Sequence, residues 1–413
     1  MASQTGWVFD QAIDKRRPIG ENENAGRGSA ELGSLMPIEI KLDQLPMGYS
    51  LGAARRDETM SVSTLGFVSS EDGDKLIKYL EGIPTTILSR LPEAQRILPS
   101  QIDSLLVVIS KDRIATVYLN ELRMKGQVVV KRAIKKGEQL FADDIADIRQ
   151  LEFEGVDIPP DSGVVFVFSI GWRKGLFYDL QPLEANQNRS RTYDLAKVLA
   201  ECHTYLTFQE RFKLTGEDWT RLFDAQWFPF VALKDQTVRA MIDHARNGWS
   251  VDDLLDQIAD EVRARIVAIP TSWKQSLFAP HHEVLEKVVE QYLSDDYLSA
   301  SLILYPRIEG IMRTVHTHVG AKSKPHKDNL IRSIMGAGSD KRHAHSLLLP
   351  DRFQKYLEQV YFKAFKPGEA PVASRHSVSH GVATVDQLSL KAATIGLLIV
   401  QQLVYFLPSD GDS

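Results

Sequence analysis

The spacing of hydrophobic positions divides the chain into two parts. From about residue 36 to 187, short β-branched and aliphatic runs alternate with polar turns, as at residues 104–109 and 127–130. Runs of this length and composition are typical of strands. The pattern therefore predicts an α+β or β-rich domain over residues 36–187.

A hairpin is the clearest element predicted in this domain. Two apolar runs, residues 163–172 and 176–183, are joined by Arg173-Lys174-Gly175, whose glycine can adopt the positive φ of a tight turn. The first run is apolar at successive positions rather than at alternate ones. That pattern predicts a strand buried on both faces.

After residue 188 the apolar spacing becomes helical and stays so to the end of the chain. Ser250 is a candidate N-cap, and Pro270 and Pro280 place a boundary near residue 275. We expect a helical connector over residues 188–275, with helices at residues 192–208, 216–225, 235–246 and 251–267.

Four further helices are predicted beyond that boundary, and a four-helix bundle is the economical packing for them. A long polar connection, residues 320–349, joins the second to the third and is expected to be functional or disordered. The predicted domains are a disordered leader (1–35), the α+β domain (36–187), the connector (188–275) and the bundle (276–413). The predicted bundle helices are residues 281–293, 297–319, 351–365 and 385–407.

Composition favours a protein of a reducing compartment. The chain has 413 residues, 43% of them hydrophobic, and its one cysteine, Cys202, can form neither an intrachain disulfide nor a cysteine-based zinc site. The apolar stretch at residues 388–407 is interrupted by Lys391, Gln401 and Gln402, which favours a core helix over a membrane span. The expectation is a cytoplasmic protein without a membrane partner.

Charge is unevenly distributed along the chain. The formal net charge is −5, but residues 301–413 carry +5 and contain seven of the eleven histidines, so the rest carries −10. A basic, histidine-rich end on an acidic protein is what a localised phosphate-binding site requires.

The stretch that could carry chemistry is Ser374-Arg375-His376-Ser377-Val378-Ser379-His380-Gly381. The Arg-x4-His spacing also occurs at Arg239/His244 and Arg313/His318, but inside predicted helices, where positions five apart do not share a face. The third copy follows a proline- and glycine-rich stretch, and we expect it in a loop, with its small serines allowing close approach to a ligand.

This stretch resembles the Arg-x4-6-His motif of the HEPN superfamily, in its Ser-Arg-His-x-Val-x-His-Gly form. The resemblance covers the C-terminal third of the chain. It implies an all-α bundle that dimerises and a metal-independent endoribonuclease in bacterial defence or stress response. It further implies that His380 transfers protons and that Arg375 binds phosphate, with RNA as the substrate and no cofactor.

The residue types suit that reaction. RNA supplies its own 2′-OH nucleophile, so cleavage needs a base, an acid for the 5′-oxygen and positive charge on the phosphorane. An imidazole titrates near neutrality, and a guanidinium stays charged while it binds two phosphate oxygens. The hypothesis requires Arg375 and His380 to converge on one phosphate pocket.

Several alternatives stay open. Candidate auxiliary residues are His376, Ser379, Arg307 and Glu309; His376 could instead be structural, and Arg307 and Glu309 could form an ordinary salt bridge. No metal is predicted, because His281-His282 and His343-Ala344-His345 lack further ligands at suitable spacing. The domain could also be a non-catalytic nucleotide- or RNA-binding or dimerisation module, or have a regulatory or antitoxin partner. The active site could lie in the N-terminal domain instead.

Overall fold

The computed structural model describes residues 37–184, 189–266, 277–365 and 372–407. It divides into two compact units: a sheet domain, residues 37–127 and 150–207, and a helical domain, residues 128–149 and 208–407. The predicted leader and the predicted boundaries near residues 187 and 275 lie outside the described residues. The helical domain contains chain on both sides of position 275.

The sheet domain contains a six-stranded antiparallel sheet in the order β1-β6-β5-β9-β10-β4. Two further pairs, β2 with β3 and β7 with β8, form separate ribbons. The elements are β1 Ile38–Lys41, β2 Tyr49–Ser50, β3 Val62–Ser63, β4 Leu65–Ser69, α1 Asp74–Leu88, β5 Ser104–Ile109, β6 Ile114–Leu119, β7 Met124–Val130, β8 Ile145–Phe153, β9 Gly163–Ile170, β10 Arg173–Asp179 and α2 Leu195–Phe208.

Strand β9 is buried on both faces, as its continuous apolar run predicts. Val165 and Val167 of β9 belong to a core that also contains the buried side of α1. On the other face Phe166 packs against Phe153 at 4.9 Å between ring centroids, and Phe168 stacks on His203 of α2 at 6.2 Å. The predicted β-rich character of this region is confirmed.

The hairpin forms, but its turn begins two residues earlier than predicted. Arg173 pairs with Ile170, so the turn is Gly171-Trp172 and Gly171 has the positive φ of +60°. Gly175 lies within β10, where an added Cβ would meet the rings of Phe168 and Phe67 at 3.1 Å. Its small size therefore serves close strand packing, not the turn.

The C-terminal region is helical, as predicted. Ser250 caps a 3-10 turn, Val251–Leu254, by accepting a hydrogen bond from the Asp252 backbone N–H at 3.2 Å. The helices are α3 Gly216–Asp224, α4 Asp235–Asn247, α5 Leu255–Ile266, α6 His282–Leu293, α7 Tyr297–His318, α8 Lys327–Gly336, α9 Pro350–Tyr356 with a π-helical extension Leu357–Tyr361, α10 Arg375–Ser379 and α11 Leu390–Phe406.

Three predicted elements differ from the structure. The connection at residues 320–349 contains α8, whose Leu330, Ile331 and Ile334 are buried although polar residues outnumber them in the sequence. The helix predicted at 351–365 ends at residue 361. The helix predicted at 385–407 begins at Leu390, because residues 385–387 form a separate 3-10 turn.

Helix α11 is the most apolar of the described helices, and it packs against α7. Within the described chain, no helix combines the length and the hydropathy that crossing a bilayer would require. A Cβ added at Gly396 of α11 would lie 2.5 Å from Cδ2 of the buried Leu304 of α7. Glycine at this position allows the two helices to approach.

We expect Gly396→Ala to lower the free energy of unfolding by about 1–3 kcal/mol, because overpacking displaces Leu304. Gly216→Ala is the matched control, since a Cβ there meets nothing within 4 Å. It should change stability by no more than about 0.5 kcal/mol. Urea unfolding followed by circular dichroism measures both, and equal effects would contradict the packing argument.

Residues 128–149 belong to the helical domain because buried polar groups connect them to residues 343–347. The Asp147 carboxylate accepts hydrogen bonds from Ser346 Oγ at 2.9 Å and from the Leu347 N–H at 3.0 Å. His343 Nε2 lies 2.7 Å from the Ile148 carbonyl oxygen. Burial raises the pKa of Asp147 to about 6, despite these donors.

A carboxyl whose pKa is higher in the folded than in the unfolded protein lowers the free energy of unfolding as pH rises. For Asp147 the loss occurs between about pH 4 and 6 and amounts to at most about 3 kcal/mol. We therefore expect the stability of Asp147→Asn relative to wild type to increase from pH 4 to pH 7. Hydrogen exchange of peptides covering residues 343–349 measures this, and a difference independent of pH would contradict it.

Candidate active site

The candidate motif is helical, and the predicted loop is wrong. Ser374 is the N-cap of α10: its Oγ accepts from the Ser377 N–H at 3.2 Å, and Ser377 Oγ accepts from the Ser374 N–H at 2.9 Å. Both serines are buried, and their hydroxyls also donate to the carbonyls of Lys363 and Val372. These serines therefore fix a one-turn helix and leave no room for a ligand at their side chains.

Gly381 ends this short helix. Its φ is +66°, in the left-handed region, and its N–H donates to the Val378 carbonyl at 3.1 Å. The His380 N–H donates to the His376 carbonyl at 3.0 Å, so the last turn is closed. Glycine is favoured at such a position because other residues are strained there.

The helical turn brings two histidines together. His376 and His380 are four residues apart and therefore lie on one face. Their rings are parallel within 1°, with centroids 6.1 Å apart. His380 is exposed and His376 is partly buried, with Phe362 edge-on to His376 at 6.4 Å and Phe365 edge-on to His380 at 6.1 Å. We call His376 and His380 the imidazole pair.

Arg375 points to a different partner: among the described contacts none joins its guanidinium to His380, so the convergence of the two on one phosphate pocket stays a prediction. Its Nε forms an ion pair with Oε2 of Glu309 on α7. The other carboxylate oxygen accepts two hydrogen bonds from Arg313, at 2.9 Å to Nε and 2.6 Å to Nη2. The Glu309 side chain is only 9% exposed, so two guanidinium groups compensate a buried charge.

The site is electrostatically positive around the imidazole pair. Burial lowers the pKa of His376, and the charges of Arg375 and His380 lower it further. Lys327, the first residue of α8, acts in the same direction, and Glu309 opposes it. His376 is therefore held toward its uncharged form, in which an imidazole nitrogen can accept a proton.

The other candidate residues lie in different places. Ser379 is exposed on α10, beside the imidazole pair in sequence. Arg307 lies against His281, with Nη1 to Nδ1 at 3.4 Å, while Glu309 pairs with Arg313 and Arg375. The predicted Arg307–Glu309 salt bridge is therefore replaced by other pairs, because the two residues face different neighbours of α7.

The two other Arg-x4-His copies lie within helices α4 and α7, as expected. In the second copy, Arg313 faces Glu309, and His318 is exposed at the end of α7. His316 is buried, with Nδ1 at 2.8 Å from Ser333 Oγ and Nε2 at 2.9 Å from the Ser323 carbonyl oxygen. It is a packing histidine that connects α7 to α8.

The histidines weighed as metal ligands have other partners. His281 Nε2 lies 2.8 Å from Thr314 Oγ1, and His282 pairs with Glu286 at 3.2 Å. His343 bonds to Ile148, while the ring of His345 packs edge-on against Phe212 at 5.0 Å. In the part of the chain with described coordinates, no three His, Cys, Asp or Glu side chains form a group suited to a metal ion.

Sequence reasoning missed Arg313 and Lys327 as members of this site. Arg313 belongs to a second copy of the motif spacing, and Lys327 lies in the connection predicted to be functional or disordered. A helical spacing of four residues between Glu309 and Arg313 was a usable signal for their ion pair. No family model, curated protein or solved structure matches this chain, so the site stands on its own geometry.

We expect Arg375→Gln to raise the pKa of His376, because the substitution removes a positive charge that favours the uncharged imidazole. Arg375→Lys keeps the charge and should leave the pKa closer to that of wild type. Arg239→Gln, which removes a guanidinium paired with Asp235 on α4, is the control and should have no effect. Titration of the histidine resonances by NMR measures all three, and a fall in the Arg375→Gln variant would refute the assignment.

Proposed function

We propose that the helical domain is a metal-independent RNA endonuclease of HEPN type, with the imidazole pair and Arg375 as its catalytic residues. The observation that carries this proposal is the pair of parallel imidazoles, 6.1 Å apart at the protein surface, beside the Arg375 charge. Two imidazoles of different protonation state can supply the base and the acid that transesterification of RNA requires.

The roles follow from the surroundings of the two rings. His376 is partly buried and has a lowered pKa, so at neutral pH it is suited to accept the proton of the 2′-OH. His380 is exposed and, when protonated, is suited to give a proton to the departing 5′-oxygen. The 2′-oxygen bonds to phosphorus as the P–O5′ bond breaks, which leaves a 2′,3′-cyclic phosphate and a 5′-hydroxyl.

Arg375 supplies positive charge for the phosphorane. Glu309 fixes the guanidinium on the Nε side, and the Arg375 side chain remains 25% exposed. A positioned charge stabilises the transition state without reorganising during the reaction. In this proposal Glu309 is a positioning residue, which acts through Arg375 and not on the RNA.

The wider expectations from the resemblance belong to the same proposal. Helices α6, α7, α9 with its π-helical extension, and α11 would be the four helices of the HEPN-like bundle, with α10 at the entrance of the last. The domain would act as a homodimer through this bundle, in bacterial defence or stress response. A regulatory or antitoxin protein would hold it inactive.

The test is cleavage of end-labelled RNA by the full chain in excess EDTA. We expect wild type to cleave and to leave a 2′,3′-cyclic phosphate, with the rate falling as acid protonates His376. His376→Ala and His380→Ala should each lower kcat by about 10²–10⁴-fold, the usual contribution of a positioned acid or base. Arg375→Ala should lower it by about 10²-fold or more, the scale for loss of one transition-state contact.

His318→Ala is the matched control, because His318 is an exposed helical histidine in another copy of the same spacing. It should cleave like wild type, and RNA methylated at the 2′-oxygen should stay intact. Cleavage retained by His380→Ala, or abolished by EDTA, would remove the proposal. Binding of RNA without cleavage would favour the non-catalytic binding module instead.

A further inference from the structure

A strip of unpaired positive charge lies on the connection between α7 and α8 and on α8 itself. Lys322, Lys324, Lys327 and Arg332 are all exposed, and we call these four residues the basic strip. Across the described ranges, no carboxylate forms an ion pair with any of the four, and Asp328 is the one acidic residue among positions 320–336. Their charge is therefore available to an anionic partner.

The strip is held in a defined conformation. His316 of α7 contacts the Ser323 carbonyl with one ring nitrogen and Ser333 Oγ of α8 with the other. Buried Leu330, Ile331 and Ile334 fix α8 to the rest of the domain. A charged surface fixed in this way loses little conformational entropy when a ligand binds.

A depression of about 290 Å³ lies within the strip. Its lining includes Ser323, Asn329, Arg332 and Ser333, which offer hydrogen-bonding groups and one guanidinium. Arg332 Nη1 donates to Asn329 Oδ1 at 2.9 Å, which orients the guanidinium at this depression. Such a lining suits a phosphate or the edge of a base.

The strip lies close to the candidate active site, because α8, which carries Lys327, and α10, which carries His376, both pack against α7. Lys327 begins α8, and its charge is close enough to His376 to lower the pKa of that imidazole. Arg342, by contrast, is buried against Phe406 with its Nη1 donating to the Ala337 carbonyl at 2.7 Å, so it belongs to the packing.

We infer that the basic strip binds the phosphodiester backbone of the RNA beyond the cleaved bond, running from Lys327 to Lys322 and Lys324. The inference rests on the proposed function, because it defines the path of that enzyme's substrate. Its chemistry is the neutralisation of phosphates by exposed cations, which makes binding dependent on salt.

The binding experiment uses the full chain and a fluorescent single-stranded oligonucleotide methylated at every 2′-oxygen, which cannot be cleaved. We expect a variant with Lys322→Gln, Lys324→Gln and Arg332→Gln, which leaves Lys327 beside His376 unchanged, to bind about ten- to hundredfold more weakly at low salt. The slope of log affinity against log salt should become shallower by about 2, since each lost phosphate contact on a single strand contributes about 0.7.

The matched control replaces three other exposed lysines with glutamine, Lys75, Lys78 and Lys136, and should bind like wild type. His380→Ala should also bind like wild type, because it removes no strip residue. An unchanged affinity and salt slope in the strip variant, or failure of wild type to bind the oligonucleotide, would overturn the inference.

Cleavage kinetics separate this inference from the proposed function. The strip variant should cleave a dinucleotide like wild type, because it keeps Lys327 and so short a substrate does not reach Lys322, Lys324 or Arg332. On a longer RNA it should show a raised KM with little change in kcat.

If wild type cleaves RNA and the strip variant shows the same KM as wild type on long RNA, the strip inference fails and the endonuclease proposal is retained. If His380→Ala still cleaves RNA while the strip variant binds the oligonucleotide weakly, the catalytic assignment fails and the strip inference is retained.

Discussion

The buried carboxylate of Glu309 is the constraint on which the candidate site depends. A carboxylate removed from water must be compensated, and here Arg313 of the same helix and Arg375 of α10 share its two oxygens. The first pair is local to α7, whereas the second joins segments 66 residues apart in the chain. Because α10 is a single turn, this ion pair and the serine caps together determine which way its residues face.

The position of Arg375 determines what the rest of the motif can do. In a helical turn, positions five apart do not share a face, whereas positions four apart do. The near neighbour of His380 is therefore His376 and not Arg375. The two histidines thereby become neighbours, and the arginine acts on them through its charge. Burial and that charge hold His376 toward its uncharged form, and this underlies its proposed role as the base.

Charge in the helical domain serves two different purposes. Arg342 and Asp147 are buried, and their hydrogen bonds hold the chain segments of this domain together. Lys322 and Lys324 are exposed, pair with no carboxylate of the described residues, and lie on a connection fixed by His316. The formal charge of the C-terminal stretch does not distinguish these cases, because only burial separates a cation used in packing from one available to a ligand.

The sequence by itself determined the local elements, because their periodicity is a property of neighbouring residues. It predicted β5 as a strand and β9 as a strand buried on both faces, and it predicted helices α2 to α7 to within a few residues. It also identified Arg375, His376, His380 and Glu309 as candidates, from a motif and from a polar pair on an apolar helix. These features depend on contacts between residues close in sequence.

Only the tertiary structure decided which distant groups meet. It places residues 128–149 in the helical domain, where Asp147 accepts a hydrogen bond from Ser346. It also pairs Arg375 with Glu309 and not with His380. Helix α8 forms within the polar connection because burial of its few apolar residues stabilises it. A buried charge pairs with whichever partner the packing brings within reach, and no periodicity in the sequence encodes that partner.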